Sequence, residues 1–196
     1  MKKKRIGIFG GTFDPPHVGH LIIAEQARAQ VGLDRIYFIP AFLPPHKRKN
    51  SSAQPLDRLT MSKLAVRGDK ALRVSDIEIR RKGISYTIDT VRGFHRRYPK
   101  AELFLIVGED NYAAFKTWKS YKEILRSARL IVYRRSSQGM IRTSRSSKKR
   151  MRLLQGTLLD ISSSDVRRHI QERRSIRSIV PAAVERYIRS KKLYRS

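Results

Sequence analysis

Apolar positions along this chain switch repeatedly between two periods, and each switch marks a change of element. Arg5–Phe9 alternates β-branched and aromatic residues and stops at Gly10-Gly11, which predicts a buried strand. From His17 or Val18 to Val31, the positions Leu21, Ala24, Ala27, Ala29 and Val31 favour a helix closed by Gly32. Arg35–Ile39 predicts a second strand ended by Pro40. The proline-rich, basic stretch Ala41–Pro55 predicts a loop. Leu56–Arg67 reads as a helix ending at Gly68, and Leu72–Ile79 as a strand broken by Gly83. Tyr86 or Thr87 to Tyr98 reads as a helix with Ile88, Val91 and Phe94 at helical spacing. Glu102–Val107 carries the strongest strand signal, and Gly108 ends it. Helical pieces around Tyr112–Thr117 and Tyr121–Ser127 lead to a strand at Leu130–Tyr133, and Leu153–Ile161 reads as extended. Ser162-Ser163-Ser164-Asp165 offers an N-cap to a helix carrying Val166 and Ile170. Pro181, placed at N1, opens a last helix through Ile188.

Strands alternating with helices predict an α/β protein: a Rossmann-like open parallel sheet with helices on both faces. The expected organisation is a single domain over residues 1–196, with a basic loop at about 134–152 and C-terminal helices within 162–196. Ligands of such sheets bind at the carboxyl ends of the strands, near the point where strand order reverses.

Composition narrows the function. The 196 residues contain no cysteine, which excludes a disulfide scaffold, a thiolate-ligated metal and a cysteine nucleophile. The longest apolar runs, such as Leu103–Val107 and Leu21–Ala24, fall far short of the roughly 20 residues a membrane span needs. The basic start Met1–Arg5 reaches Gly10-Gly11 too soon to form a secretory segment, so a cytoplasmic protein is expected. Forty-four Lys and Arg against 16 Asp and Glu give a net charge of +28, which favours polyanionic partners such as nucleotides or nucleic acid. Arg134–Arg152 holds eight basic and no acidic residues. It lacks the interleaved aromatics of single-strand binders and reads as a solvated loop, not as a specific nucleic-acid site.

The candidate chemistry lies where the first strand ends. Gly10-Gly11-Thr12-Phe13-Asp14-Pro15-Pro16-His17-Val18-Gly19-His20 joins two glycines at a strand end to a helix start carrying two histidines one turn apart. Glycines let backbone approach a ligand, and a helix start presents free N–H groups and partial positive charge. Together they predict a phosphate site. A zinc site lacks an obvious third ligand. Asp14 reads as a brace for the loop through backbone hydrogen bonds.

The same string resembles the signature of the HxGH nucleotidyltransferases, and with Pro-Pro-His it is similar to the nicotinate-nucleotide adenylyltransferase family. Further strings agree in order: Pro44-Pro45-His46-Lys47, Ile84 through Thr90, Gly108-Glu109-Asp110, Trp118-Lys119, Ile161 through Arg167, and Val180-Pro181 through Leu193-Tyr194. Two departures are Ser164 for the family's Thr and Val166 for its Ile, and both keep the chemistry. Arg134–Arg152 matches nothing characteristic of the family.

The resemblance implies adenylyl transfer from ATP to nicotinate mononucleotide, a late step of NAD biosynthesis, with Mg²⁺ held by phosphates and not by protein side chains. It implies phosphate contacts from His17, His20 and Arg167. ATP contacts are implied from Gly10, Gly11, Thr12, Phe13, Gly108, Asp110, Ile161, Ser162, Ser163 and Ser164. For the mononucleotide it implies His46, Lys47, Tyr86, Thr87 and Trp118, with Trp118 stacking on the ring and the Tyr86-Thr87 backbone meeting the carboxylate. Read as residues alone, Asp110 and Thr87 also suit helix caps. Rival readings are an HxGH enzyme with a nicotinamide mononucleotide or phosphopantetheine acceptor, or a basic nucleic-acid binder on a Rossmann-like scaffold. A homo-oligomer is left open.

Overall fold

Among the described residues, six strands form one sheet. The computed structural model describes residues 3–45, 53–134, 151–155 and 161–195. In chain order the elements are β1 (Arg5–Gly11), α1 (Val18–Val31), β2 (Arg35–Pro40), α2 (Pro55–Ala65), β3 (Leu72–Val74), α3 (Ile77–Arg81) and α4 (Thr87–Arg97). Next come β4 (Glu102–Gly108), α5 (Glu109–Ala113), a 3₁₀ turn at Phe115–Thr117, α6 (Tyr121–Ser127), β5 (Arg129–Tyr133) and β6 (Met151–Leu153). The chain closes with α7 (Ser163–Gln171) and α8 (Ala182–Ser190).

The strand order, β3-β2-β1-β4-β5-β6, is that of a Rossmann sheet, with the reversal between β1 and β4. Those two strands pair in parallel, Ile6 opposite Leu103 and Ile8 opposite Leu105. β4 pairs in parallel with β5, and β5 with β6. Helices separate most of the strands along the chain, as the alternation of strand and helix predicts.

Two compact units divide the chain. The first holds residues 1–10, 23–37 and 86–160, and the second residues 11–22, 38–85 and 161–196. In the first, Ile6, Ile8, Leu105, Ile106, Ile131 and Val132 are almost wholly buried, which is why these strands read as continuous apolar runs. Gly7 belongs to this packing: a Cβ there would come 3.0 Å from the side chains of both Ile36 and Leu33.

In the second unit, Met61 and Ala65 of α2 pack with Val166 of α7, Val184 and Ile188 of α8, and Tyr194. Arg58 is the exception in that core. Only 1% exposed, it donates to the carbonyl oxygens of Thr12, Ala41, Phe42 and Ala53, at 2.9, 2.6, 3.1 and 3.2 Å. Burial lowers its pKa from the ordinary value, and the negative charge of Asp14 works against that shift.

Several boundaries differ from the sequence expectation. The strand expected over Leu72–Ile79 stops at Val74, and Ile77–Arg81 is a helix. Asp76 at its N-terminus pairs with Arg80 across one turn at 3.1 Å, a local interaction that a period-two pattern over so few residues conceals. The helical piece expected over Tyr112–Thr117 is divided between α5 and the 3₁₀ turn. β6 covers Met151–Leu153, ahead of the extended segment expected from Leu153, of which residues 156–160 lie outside those described. Pro181 occupies the N-cap of α8 instead of N1, with extended backbone. Most of the basic stretch, residues 135–150, also lies outside the described residues.

Replacing Arg58 with Met should keep the volume while stranding buried carbonyls that now have a donor. Urea unfolding should show a loss of about 3 kcal/mol or more. A loss below about 1 kcal/mol would mean that water takes over those acceptors.

Candidate active site

The loop after β1 is built around a buried aromatic ring. Phe13 has φ of 51°, in the left-handed region, and is 2% exposed. Its ring lies 5.3 Å from Phe38 and meets His20 edge-on at 4.9 Å, contacts that hold an otherwise unfavourable backbone. The two glycines before it play different parts. A Cβ on Gly11 would come 2.9 Å from the Phe13 ring, so Gly11 makes room for Phe13. A Cβ on Gly10 would meet nothing, so Gly10 alone presents bare backbone to open space.

His17 and His20 are stacked, with ring centroids 3.7 Å apart and planes inclined by 32°. The His17 backbone N–H donates to Nδ1 of His20 at 3.1 Å. That bond assigns the proton of the neutral His20 ring to Nε2. Gly19 lets the pair form, since a Cβ there would lie 3.0 Å from Nδ1 of His17.

The start of α7 is tied to this loop. Ser162 caps the helix: its Oγ accepts from the Asp165 N–H at 3.1 Å, while the Asp165 carboxylate accepts from the Ser162 N–H at 3.2 Å and hydroxyl at 2.5 Å. The Ser162 hydroxyl bond, the largest influence, holds the Asp165 carboxyl below its usual range. Ser163 Oγ donates to the Pro15 carbonyl at 2.9 Å. Arg167 donates to the Asp14 carbonyl at 2.8 Å and to Ser164 Oγ at 3.1 Å. Ile161, just ahead, is half-buried and near Gly19. The histidine loop and the serines and arginine of α7, joined by bonds that span 148 and 153 positions, thus share one place.

Asp14 is 2% exposed, and its carboxylate accepts from the Ala53 N–H at 3.2 Å and the Tyr194 hydroxyl at 2.8 Å. It braces the loop, as expected, through a bond to backbone at Ala53, and it adds a tyrosine partner that sequence reading missed. Arg58 was missed too; its position beside Leu59 and Met61 on the inward face of α2 was the available signal. Thr12 contributes its carbonyl to Arg58.

The remaining described candidates lie in the first unit. Gly108 ends β4, where a Cβ would come 3.2 Å from the Tyr133 ring. Asp110 is exposed in the first turn of α5, whose N-cap is Gly108, so Asp110 is not the cap. Thr87 is likewise not a cap: Tyr86 holds the N-cap position of α4, without a side-chain cap bond. The Tyr86 ring carries Nζ of Lys119 over its face at 4.3 Å, a contact the sequence did not suggest. Trp118 is half-buried, its ring 5.1 Å from Phe115. His46 and Lys47 lie outside the described residues.

Among the described residues no group of three or more His, Cys, Asp or Glu could hold a metal ion, and no helix is long and apolar enough to cross a membrane.

Residues 8–169 match the family model described as cytidylyltransferase-like. The chain is 40% identical over 211 residues to a protein of Pelobacter propionicus named probable nicotinate-nucleotide adenylyltransferase, covering 97% of this chain and 98% of that one. A protein of the same name from Exiguobacterium sibiricum is 42% identical over 194 residues, covering 97% and 98%. The structure of Plasmodium falciparum nicotinic acid mononucleotide adenylyltransferase complexed with NaAD superposes with a TM-score of 0.78 at 18% identity, covering 97% of each chain. Its complex with APC gives 0.76 at 17% identity, again covering 97% of each. At these identities the two structures establish the fold.

The capping box makes a pH-dependent prediction. Ser162→Ala should cost about 1 kcal/mol of stability at neutral pH. Because the folded-state pKa of Asp165 is depressed, its contribution is fully present above the ordinary Asp value of about 4 and is lost as pH falls through the lower folded value. The gap in urea midpoint between variant and wild type should therefore narrow on acidification. A gap that widens there would contradict the assignment.

Proposed function

The chain belongs to the cytidylyltransferase-like family and, within it, to the nicotinate-nucleotide adenylyltransferases, and from that premise we propose how its residues share the work. It is a nucleotidyltransferase of NAD biosynthesis that moves the adenylyl group of ATP to nicotinate mononucleotide, giving deamido-NAD and pyrophosphate. The observation that carries the reading is the junction of the histidine loop with the start of α7, made by the bonds from Ser163 to Pro15 and from Arg167 to Asp14. That junction gathers imidazole, guanidinium and hydroxyl donors with a helix N-terminus in one place, which suits a polyphosphate.

A phosphate oxygen of the mononucleotide attacks the α-phosphorus of ATP. The bond from that phosphorus to the bridging oxygen of the β-phosphate breaks, and pyrophosphate leaves with the electron pair. The nucleophile is already ionised at neutral pH, so no protein base is needed. The barrier is negative charge accumulating on the α-phosphate and the leaving group, and positioned donors lower it. We assign His17 and His20 to the ATP phosphates, with Nε2–H of His20 as a donor. Arg167 would hold the β- and γ-phosphates, and the N–H groups at Ser162–Ser164 would add a helix-start anion site. Gly10, with bare backbone toward open space, suits close approach by the nucleotide. Gly11, Thr12 and Phe13 shape the loop, with Ile161 near Gly19. Gly108 and Asp110 are assigned to the adenosine ribose, whose hydroxyls suit a carboxylate acceptor.

Trp118 is assigned to stacking on the pyridine ring and the Tyr86-Thr87 backbone to the nicotinate carboxylate. His46 and Lys47 are assigned to the mononucleotide by resemblance. Mg²⁺ would be held by ATP oxygens and water and would neutralise phosphate charge there.

Pyrophosphate release from ATP and Mg²⁺, with nicotinate mononucleotide, nicotinamide mononucleotide and phosphopantetheine compared as acceptors, tests the reading. Because N–H donors suit a carboxylate and leave an amide NH₂ facing another donor, worth about 1–3 kcal/mol, the acid should be preferred at least ~10-fold in kcat/KM. Trp118→Ala should raise KM for the mononucleotide far more than for ATP. An amide preference, or equal loss for both ligands, would contradict the placement.

His17→Ala and His20→Ala should each lower kcat about 10²-fold or more while the protein still unfolds cooperatively in urea. Near wild-type turnover in both would sink the phosphate assignment.

A further inference from the structure

A buried bond below the histidine loop takes no part in the transfer chemistry just described. Tyr194 is 8% exposed and has φ of 65°, and Lys192 two residues earlier has φ of 51°. Side chains other than glycine rarely adopt that conformation, so tertiary contacts must hold this segment. The Tyr194 hydroxyl provides such a contact by donating to Oδ1 of Asp14 at 2.8 Å, with the Met61 sulfur 3.9 Å away. Burial, reinforced by the Asp14 charge, pushes the phenol far above its ordinary pKa, so it stays a donor at any working pH.

Asp14 faces two ways. Its carboxylate is held by Tyr194 and by the Ala53 N–H, while its carbonyl oxygen accepts from Arg167 at 2.8 Å. It lies three positions before His17 in the same loop. Anything that fixes the carboxylate of Asp14 therefore fixes the carbonyl that Arg167 grips.

We propose that Tyr194 is a positioning residue for adenylyl transfer: through the Asp14 carboxylate it sets the place of the Asp14 carbonyl, and so of the Arg167 guanidinium and the neighbouring histidines. This rests on the assignment of Arg167 and the histidines to the ATP phosphates. The sensitivity follows from geometry, since a misplacement of about 1 Å at a transferring centre can cost as much as 10²-fold in rate. Losing one of the bonds to the Asp14 carboxylate should displace the carbonyl by less than that.

Steady-state pyrophosphate release should be measured at 25 °C for wild type, Tyr194→Phe, Arg167→Lys, the double variant and Tyr187→Phe. Tyr187 is a matched control: it too donates from the C-terminal region to an aspartate, at 2.7 Å, but that partner is Asp57 of α2, outside the loop. Tyr194→Phe should lower kcat about tenfold with KM for nicotinate mononucleotide within about twofold. The effect should shrink below about threefold in the Arg167→Lys background, because both changes act on one contact. Tyr187→Phe should keep wild-type kcat even where it lowers the urea midpoint. Unchanged kcat in Tyr194→Phe, full multiplicativity in the double variant, or an equal loss in Tyr187→Phe would overturn the inference while leaving the function intact. A wild-type protein that releases no pyrophosphate would overturn the functional reading and this inference with it. If Tyr194→Phe does not fold, Asp14→Asn weakens the same bond from its acceptor side and should show the same pattern, with the same results counting against it.

Discussion

Burying the Asp14 carboxylate and the Arg58 guanidinium in the second unit is the constraint on which the rest of the site depends. Neither group can be left without partners at 2% and 1% exposure, so each dictates where several backbone atoms lie. Arg58 collects carbonyls from Thr12, Ala41, Phe42 and Ala53, while Asp14 collects the Ala53 N–H and the Tyr194 hydroxyl. Ala53 bonds to both, which joins the strand-end loop to the approach to α2. The loop is thereby fixed from beneath by polar contacts, while the Phe13 ring fixes it by packing.

Rigidity of this kind suits the chemistry. Adenylyl transfer between two phosphates needs no proton abstraction, so donors held in place are worth more than a tuned base. The stacked histidines fit that requirement: the bond from the His17 N–H leaves His20 one way to carry its neutral-state proton, and Gly19 gives the first ring its place. Ser162 and Asp165 satisfy each other at the start of α7, leaving Ser163 and Ser164 to bind the loop and Arg167. A net charge of +28 attracts anions in general over a longer range, an attraction that salt weakens.

The division of labour among the glycines shows how packing assigns roles that composition cannot. Gly10 and Gly11 are adjacent and chemically identical, yet one faces open space and the other a phenylalanine ring. Gly108, at the end of β4, is likewise small because Tyr133 lies against it. A strand-end glycine pair announces close approach, but whether a ligand or a side chain comes close depends on the neighbours.

The sequence by itself determined what depends on near neighbours along the chain. The apolar runs of β1, β4 and β5 fixed a parallel sheet, because strands buried on both faces must be apolar throughout. The Ser162–Asp165 cap and the histidine pair were legible because their partners lie within one helical turn. The motif strings placed the chain among the nucleotidyltransferases. Local reading failed where a short-range pattern was ambiguous, as at Ile77–Arg81, where alternation concealed a helix, and at Thr87, where the cap position falls on Tyr86. Only the tertiary structure decided that Tyr194 reaches Asp14 across 180 positions, that Arg167 reaches the Asp14 carbonyl across 153, and that Arg58 lies buried. Those contacts are set by the burial of charge, and which partners a buried charge finds depends on the packing of the whole unit, which no periodicity along the chain encodes.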